Sequence, residues 1–338
     1  MAIKYSYDTA PPAGTLQRVH PAIDWAYMPL PFALDHVNCW LIGASVDDLM
    51  IIDTGIHSDA TCDLWQQLLD ASGVQLKHLL ITHYHPDHIG LASWFQSNHT
   101  SLPVIMSQLE YEQAKAAFEA TDEHFATAQA DWYRQQGMPQ EQLSKMAAKG
   151  NSYRQIVAGL PLVDRIVKAG DTVNAGGYDW QVITGGGHAP EQITLYAEAI
   201  NVLIAADQIL PRITPNISLN WYKNRQDPLA DFLDSFTAYD ILPADVLVLP
   251  SHGLPFTGLH DRLNQLRAHH HERLEQLRNA TEQPLTGYEL LPVLFDRELD
   301  PRQMMFAMGE CLAHLRYLEN QREMTAATSD GITRFQRA

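Results

Sequence analysis

The sequence predicts an α/β fold, because apolar runs with the length of buried strands alternate with segments of helical periodicity. One such run, residues 79–81, ends in a histidine-rich loop at residues 82–88. Three further apolar runs end in single polar residues, His188, Asp207 and His252. Sheet enzymes place their chemistry at the carboxyl ends of strands, so these four strand ends also predict a functional site.

The first part of the chain, residues 20–106, shows strands joined by short turns, with helices among them. Apolar residues recur at helical spacing within residues 58–69, at Cys62, Trp65, Leu68 and Leu69. Gly73 follows as a helix-ending residue. A second helix is expected to begin within residues 91–95, after the histidine-rich loop.

The histidine-rich loop predicts a metal site. It holds four potential ligands within six residues, His83, His85, Asp87 and His88. His83 and His85 alternate in phase, so both side chains can point to one side as the strand ends. Asp87 and His88 follow the turn at Pro86 and can face a neighbouring point. Two adjacent metals would use these groups better than one; a polar loop that is rich in histidine by chance is the alternative.

The pattern HxHxDH followed by isolated His, Asp and His resembles the signature of the metallo-β-lactamase-fold hydrolases. The resemblance covers roughly residues 20–260 and implies a four-layer αββα sandwich. It implies that the ligands of a first metal are His83, His85 and His188. It implies that those of a second metal are Asp87, His88 and His252, with Asp207 bridging the two ions.

The resemblance extends to two strands outside the ligand set. Residues 36–42 are similar to the first core strand of that family, and Asp53 ends the apolar run at residues 49–52. Ligating histidines usually donate their second ring N–H to a carboxylate or a carbonyl. We therefore expect Asp53 to support a ligand without binding a metal itself.

The ligand chemistry predicts the cofactor and the reaction. Imidazole and carboxylate ligands without thiolate suit two zinc ions, with iron or manganese as alternatives. Two metals roughly 3.5–4 Å apart can share a water molecule and lower its pKa towards about 7. Asp87 and Asp207 are the predicted catalytic residues, Asp87 because it can also exchange a proton and Asp207 because it would bridge the metals. No Ser or Cys nucleophile is required.

A helical insertion is predicted at about residues 107–160, between the histidine-rich loop and the strand that ends at His188. Ser107 and Glu110 form a capping-box pair at the start of a helix predicted to reach about residue 136. A second, short helix is predicted to end near residues 149–150.

The insertion also suggests substrate contacts. Its large apolar residues could line a pocket for an acyl or aromatic group, at Phe118, Phe125, Trp132, Tyr133 and Met138. The alternative is that they only pack the insertion onto the domain. Arg212, in a loop bracketed by prolines after Asp207, could bind a carboxylate or a phosphate, or be an ordinary surface arginine.

The chain is predicted to have a catalytic domain at residues 1–258 and a C-terminal domain at residues 259–338. The C-terminal region shows helical leucine stripes and then a hairpin that turns at residues 329–331. This order is similar to the winged-helix-like tail of one metallo-β-lactamase-fold subgroup, with members that act on RNA and on acyl carrier thioesters. Residues 260–338 hold ten arginines, no lysine and twelve acids. DNA-reading wings are usually basic, so packing or dimerisation is the expected role.

Charge separates the candidate functions. With 23 basic and 40 acidic residues the formal net charge is −17, which repels polyanions such as nucleic acids. The predicted function is therefore a dinuclear metallo-hydrolase that attacks the carbonyl of a small thioester or ester. Alternatives are a phosphodiesterase or endoribonuclease of the same fold, a lactonase or β-lactamase, and a non-catalytic binding or regulatory protein. A homodimer is a further possibility.

The compartment is predicted from cysteine usage and hydropathy. Cys39, Cys62 and Cys311 are few and scattered, which suits a reducing environment. No apolar run approaches the roughly 20 residues of a membrane span. The first fourteen residues lack the apolar core of a signal peptide. A cytoplasmic protein without membrane contact is the expectation.

Overall fold

The computed structural model describes residues 2–43, 48–73, 75–99, 101–147, 151–221 and 226–338. The strands within these residues are β1 (Lys4–Tyr5), β2 (Leu16–His20), β3 (Ile23–Pro29), β4 (His36–Gly43), β5 (Leu49–Ile52), β6 (Leu76–Leu80), β7 (Val104–Met106), β8 (Val163–Ile166), β9 (Thr172–Ala175), β10 (Tyr178–Gly185), β11 (Gln192–Ala197), β12 (Val202–Ala206), β13 (Leu247–Pro250), β14 (Phe256–Thr257), β15 (Met324–Ser329) and β16 (Ile332–Arg337).

The α-helices of the described residues are α1 (Asp59–Ser72), α2 (Pro86–Ile89), α3 (Ala92–Asn98), α4 (Gln108–Glu119), α5 (Asp122–Gln135), α6 (Gln140–Ala147), α7 (Pro228–Ser235), α8 (Thr237–Asp240), α9 (Leu259–Ala280), α10 (Leu291–Leu294) and α11 (Pro301–Asn320). The predicted helix at residues 58–69 is confirmed as α1. Ser58 caps its start by accepting from the Thr61 N–H, and Gly73 ends it in the left-handed conformation.

Most strands form two seven-stranded sheets. The first sheet has the order β2-β3-β4-β5-β6-β7-β8, and its pairs from β5 to β8 are parallel. The second has the order β1-β14-β13-β12-β11-β10-β9, in which β12 and β13 are parallel. Because β5 pairs with β6 and β12 pairs with β13 in parallel, the carboxyl ends within each pair lie at the same edge of the sheet. Side chains that follow these strands can therefore belong to one site.

The central strands β5 and β12 are apolar and buried along their whole length, because both faces of the sheet are covered there. Alternate residues of β5 and β6 belong to two cores: Ile51 and Leu79 pack with the helices, whereas Ile52 and Leu80 pack between the sheets. Trp65 of α1 and Phe95 of α3 lie in the first of these cores, in edge contact at 5.2 Å. Sheets that face each other and carry helices outside confirm the predicted sandwich.

The second sheet has a helix on its outer side as well. Thr194 of β11 lies 3.1 Å from the hydroxyl of Tyr239 in α8, while its neighbours Ile193 and Leu195 belong to the core between the sheets. The four layers are therefore helix, sheet, sheet and helix. Among the described residues, no helix is both long enough and apolar enough to cross a bilayer.

Contacts group the chain into two compact units. The first comprises Met1–Glu119, Ser152–Pro215 and Thr237–Arg262, and contains both large sheets. The second comprises Ala120–Asn151, Asn216–Phe236 and Leu263–Ala338, and contains the β15–β16 hairpin. These units differ from the single boundary predicted at residue 258, because most of the helical insertion groups with the C-terminal residues.

The insertion also differs in its helices. The single helix predicted from Ser107 to about residue 136 is wrong, since α4 ends at Glu119 and α5 begins at Asp122. Thr121 and Asp122 favour helix starts over helix interiors, which gives the break a local reason. The predicted end of the next helix near residues 149–150 lies outside the described residues.

Candidate metal centre

The histidine-rich loop connects β6 to α2. His85 takes the N-cap position of α2 with an extended backbone, and Pro86 occupies the first helical position. This places Asp87 and His88 in the first turn of the helix, on the far side of the turn from His83. The proline at the start of α2 therefore puts Asp87 and His88 on the helix, whereas His83 precedes it.

The Asp53 carboxylate holds the histidine-rich loop in place by hydrogen bonds. Its Oδ1 accepts from the Thr82 N–H at 2.8 Å, and its Oδ2 accepts from the Thr82 hydroxyl at 2.8 Å and from His88 Nδ1 at 2.7 Å. Because the Thr82 hydroxyl donates to Asp53, its oxygen is left to accept from His83 Nδ1 at 3.0 Å. The Nδ1 atoms of His83 and His88 therefore both donate to oxygens, which turns the Nε2 atom of each ring towards the cluster.

Two strand ends that face the site hold backbone conformations unusual for their residue types. Asp53 has φ +61° and Ala206, directly before Asp207, has φ +47°. Conformations of this kind cost roughly 1–3 kcal/mol and persist where surrounding contacts hold them. Both turn the chain sharply at the carboxyl end of a strand, so that an aspartate points towards the loop.

Asp207 contacts histidines on both sides. Its Oδ2 lies 3.3 Å from His188 Nε2, and its Oδ1 lies 3.3 Å from His252 Nε2. Its Oδ2 is also 3.7 Å from His88 Nε2. The Asp207 carboxylate thus lies between His188 on one side and His252 on the other.

The potential ligand atoms gather into three groups, each with atoms within 4.8 Å of one another. These groups are His83, His85 and His188; His83, His88 and Asp207; and Asp87, His88 and His252. All seven residues predicted as metal ligands are brought together, and Asp53 lies in none of the groups. The predicted ligand assignments themselves remain predictions.

The strand ends that carry the later ligands are held by close packing and by hydrogen bonds. A Cβ on Gly185 would lie under 3.0 Å from the Gln208 side chain, so a larger residue would displace that side chain. The Gln192 amide, with its oxygen turned towards the strand end, accepts from the N–H groups of Asp207 and Gln208 at 3.1 and 2.6 Å. Gln192 is fully buried and sets the position of the Asp207 backbone.

His252 is oriented by His36. The His252 Nδ1–H donates to the His36 carbonyl at 2.6 Å, and the Gly253 N–H donates to His36 Nε2 at 3.0 Å. Asn38 adds a second tie, donating to the carbonyls of Pro250 and Gly253 at 2.9 and 2.8 Å. His252 therefore also presents Nε2 to the cluster.

The electrostatics of the cluster favour a cation. Burial opposes the charged form of His88, but Asp53, Asp87 and Asp207 outweigh it and raise the pKa of His88 well above its ordinary value. Burial and the neighbouring histidine rings lower the pKa of His83 well below its ordinary value. A site with three carboxylates around one histidine attracts positive charge.

The residues fit a divalent metal. The Nε2 atoms of His88 and His252 are buried and make no hydrogen bond to the described residues, although each has its Nδ1 bonded to a protein oxygen. A buried polar atom without a hydrogen bond is costly unless something else binds it. Imidazole nitrogen and carboxylate oxygen are ligands that zinc accepts.

The predicted substrate contacts lie in none of the three groups of potential ligands. Arg212 is exposed in the loop after Asp207. Trp132 and Tyr133 belong to the second compact unit, where Trp132 lines a cavity of about 160 Å³ and the buried Tyr133 donates to the Met305 carbonyl at 3.4 Å. The side chain of Phe125 lies outside the described residues. A role of these residues in substrate binding stays a prediction.

Sequence reasoning missed the supporting residues. Gln192 and Asn38 are buried polar residues at or near strand positions, and a polar residue within an apolar run is a signal that could have pointed to them. The hydrogen-bond partners of Gln192 and Asn38 are distant in the sequence, so the sequence does not show which groups these two side chains bind.

Comparisons with known proteins agree with this geometry. A family model described as the metallo-beta-lactamase superfamily matches residues 33–252, and one described as the metallo-beta-lactamase-like C-terminal domain matches residues 274–338. A search of curated proteins found no match.

Solved structures extend the similarity to nearly the whole chain. A beta-lactamase domain protein from Burkholderia ambifaria is 38% identical, with 99% of this chain and 98% of that chain covered and a TM-score of 0.91. A metallo-beta-lactamase family protein from Thermus thermophilus is 28% identical, with 95% and 100% covered and a TM-score of 0.81. The chain therefore belongs to the metallo-beta-lactamase superfamily and is a metallo-hydrolase.

Proposed function

We propose that the protein binds two zinc ions and hydrolyses a carbonyl-centred substrate, a thioester or an ester. The observation that carries the proposal is the position of Asp207, whose two oxygens each lie 3.3 Å from a histidine of a different three-ligand group. A single metal needs only one such group. Two groups joined by one carboxylate suit a pair of metals.

In this proposal His83, His85 and His188 would hold the first zinc, Asp87, His88 and His252 would hold the second, and Asp207 would be shared between them. When bound, the metals lower the pKa of a water molecule and stabilise the negative charge that develops on the attacked carbonyl oxygen. Asp53, Gln192 and His36 keep the ligands in place by the hydrogen bonds described above.

Asp87 is the ligand best placed to move a proton. Its side chain is 21% exposed, whereas those of His88, His252 and Asp207 are 0%, 1% and 8% exposed. The cluster therefore opens to solvent at Asp87. A carboxylate at the opening can take a proton from the attacking water and return it to the departing thiol or alcohol.

Net charge supports a small acyl substrate over a nucleic acid. Binding a polyanion requires cationic groups along its path, and this chain carries a formal net charge of −17. A phosphodiesterase is the second candidate, supported by the exposed Arg212 in the loop after Asp207, since arginine binds phosphate by two parallel hydrogen bonds.

Metal content tests the dinuclear part of the proposal. Elemental analysis of the zinc-replete protein should give about two equivalents per chain. Asp207→Ala removes the shared carboxylate and should lower this figure and abolish turnover while circular dichroism stays unchanged. Asp245→Ala is the matched control, since Asp245 accepts from Asn201 on the exposed surface. Fewer than half an equivalent in the wild type would refute the metal site.

A substrate panel tests the chemistry. Acyl thioesters, aryl esters, lactones, nitrocefin and bis-p-nitrophenyl phosphate should be compared at equal enzyme concentration, with Asp207→Ala as the blank. We expect the highest kcat/KM for a thioester or an ester. Phosphodiester cleavage that exceeds it, and that Asp207→Ala loses, would select the second candidate instead.

A further inference from the structure

Glu110 is a buried carboxylate that lies outside the proposed ligand set. It belongs to α4 and is fully buried. Its Oε2 accepts from the Tyr84 N–H at 3.0 Å, and its Oε1 accepts from the Glu191 N–H at 2.6 Å. The two oxygens of one side chain thus join two separate segments of the chain.

Both segments carry ligands of the first proposed metal. Tyr84 lies between His83 and His85, and Glu191 lies three residues after His188. The same two segments meet once more, where the Ile193 N–H donates to the Thr82 carbonyl at 2.9 Å. Glu110 adds a second connection, closer to the ligands than the first.

The start of α4 is fixed to the same segment, so Glu110 is itself held in place. The Ser107 hydroxyl donates to the Glu191 carbonyl at 2.9 Å, and the Leu109 N–H donates to the Glu191 carboxylate at 3.3 Å. Glu191, which is distant in the chain, thus caps the start of α4, while the Glu110 carboxylate accepts from the two loops.

Tyr84 is held on its other side as well. Its carbonyl accepts from the Tyr153 hydroxyl at 2.7 Å, so both backbone groups of the residue between the two histidines are bonded to side chains. A residue whose backbone N–H and carbonyl are both hydrogen-bonded has little freedom to change its backbone angles. The directions in which His83 and His85 leave the backbone are thereby restricted.

We propose that Glu110 is a positioning residue that sets the spacing between the His83–His85 pair and His188, and so controls metal affinity at that half of the centre. The proposal rests on the proposed metal site. A carboxylate suits the role because it accepts at both oxygens. A glutamine offers one acceptor, and its NH₂ group would face the second backbone N–H.

The test compares Glu110→Gln with Glu112→Gln. Glu112 lies on the same helix but is exposed, where it accepts from Gln108 at 2.6 Å, so it controls for the loss of one negative charge from α4. Zinc titration against a chromophoric chelator should show two binding steps in the wild type. In Glu110→Gln one step should weaken by about 10–100-fold and the other should be retained.

A second readout does not depend on metal. Amide hydrogen exchange of the zinc-stripped proteins should show the Tyr84 and Glu191 amides exchanging about tenfold faster in Glu110→Gln than in wild type or Glu112→Gln. Zinc affinities that are unchanged in Glu110→Gln, while the wild type binds two ions, would overturn the inference and leave the proposed function standing.

Failure of the proposed function gives a different result. If the wild type binds no zinc, the proposed metal centre is refuted, and with it the control of metal affinity by Glu110. The exchange measurement then still decides whether Glu110 joins the two segments. If Glu110→Gln does not fold, Glu110→Ala, which removes the buried carboxylate without adding a donor, is measured in its place, with the same two outcomes.

Discussion

At the residue scale, Asp53 supports several parts of the site although it lies in none of the three ligand groups. Its two oxygens accept three hydrogen bonds, two from Thr82 and one from His88. These bonds fix the loop backbone and also set the tautomers of His83 and His88. A single side chain thus determines which ring nitrogen each of two ligands presents.

Asp53→Asn should weaken zinc binding by about 10–100-fold. The amide NH₂ would face groups that are themselves donors, so at least one of the three hydrogen bonds is lost. Asp48→Asn is the matched control, because Asp48 binds Lys77 on the exposed surface. Chelator competition measures the affinity. An affinity equal to that of the wild type would show that Asp53 is not needed to hold the ligands.

At the element scale, α2 is short and depends on close approach to the strand end that carries Asp53. A Cβ on Gly90, at its C-terminus, would lie under 3.0 Å from the carbonyl oxygens of Gly55 and Pro86. Thr54 fastens the same contact, since its hydroxyl donates to the His88 carbonyl at 2.7 Å and accepts from the Leu91 N–H at 3.0 Å. The docking of α2 therefore sets where Asp87 and His88 lie.

Gly90→Ala should lower the free energy of unfolding by about 1–3 kcal/mol and weaken zinc binding, because backbone atoms must move to admit the methyl group. Gly73→Ala is the comparison: Gly73 has φ +59° but open space around its Cβ position, so its cost is conformational, about 1–2 kcal/mol, without loss of zinc affinity. Urea denaturation and zinc titration measure the two effects. Equal zinc affinities in both variants would contradict the role given to Gly90.

The helix α11 contains titratable groups that the proposed function does not use. His270 Nδ1–H donates to His314 Nε2 at 3.0 Å, and His314 Nδ1–H donates to the Glu310 carbonyl. Burial lowers the pKa of His314 from 6.5 to about 4. The unfolded chain therefore gains protons below about pH 6.5 that the folded protein does not, and stability is lost as the pH falls from there towards 4.

The contribution of Glu310 to stability depends on pH in the opposite direction from that of His314. Burial raises the pKa of its carboxyl from 4.5 to about 7, so its contribution to stability is fully present below pH 4.5 and is lost as the pH rises through 7. Relative to wild type, Glu310→Gln should gain unfolding free energy between pH 4.5 and 7, on the order of 3 kcal/mol, and stay constant above. Urea denaturation across this range measures it. A difference that does not change with pH would contradict the raised pKa.

At the scale of the whole molecule, the proposed centre joins strand ends from both sheets of the sandwich. Asp53 follows β5 and the loop with His83 follows β6 in the first sheet, whereas Asp207 follows β12 and His252 follows β13 in the second. A metal held between them binds the folded chain and not the unfolded one, so it stabilises the fold.

Zinc removal should lower the melting temperature by roughly 10 °C, since a ligand at about a thousandfold its Kd contributes about 4 kcal/mol. His252→Ala takes a ligand from the second proposed zinc and should melt close to the stripped wild type whether or not zinc is added. Scanning calorimetry with and without a chelator measures both. If the melting temperature of the wild type is the same with and without the chelator, metal ions do not link the two sheets.

The sequence by itself determined most element types and the seven candidate ligands, and its resemblance to a known family implied the sandwich. Apolar runs of strand length and the polar residues that follow them can be recognised over a few consecutive positions. The helix predicted at residues 58–69 and its end at Gly73 are local as well, and the structure confirms them.

Only the tertiary structure decided what supports those ligands and how the segments group. Glu110 suggests a helix cap in the sequence, yet in the fold it accepts from Tyr84 and Glu191, 26 and 81 residues away. Residues 120–151 lie between β7 and β8 in the chain but group with the C-terminal residues. A hydrogen bond depends on which donor reaches a buried acceptor, and that is set by the approach of distant segments rather than by any local period.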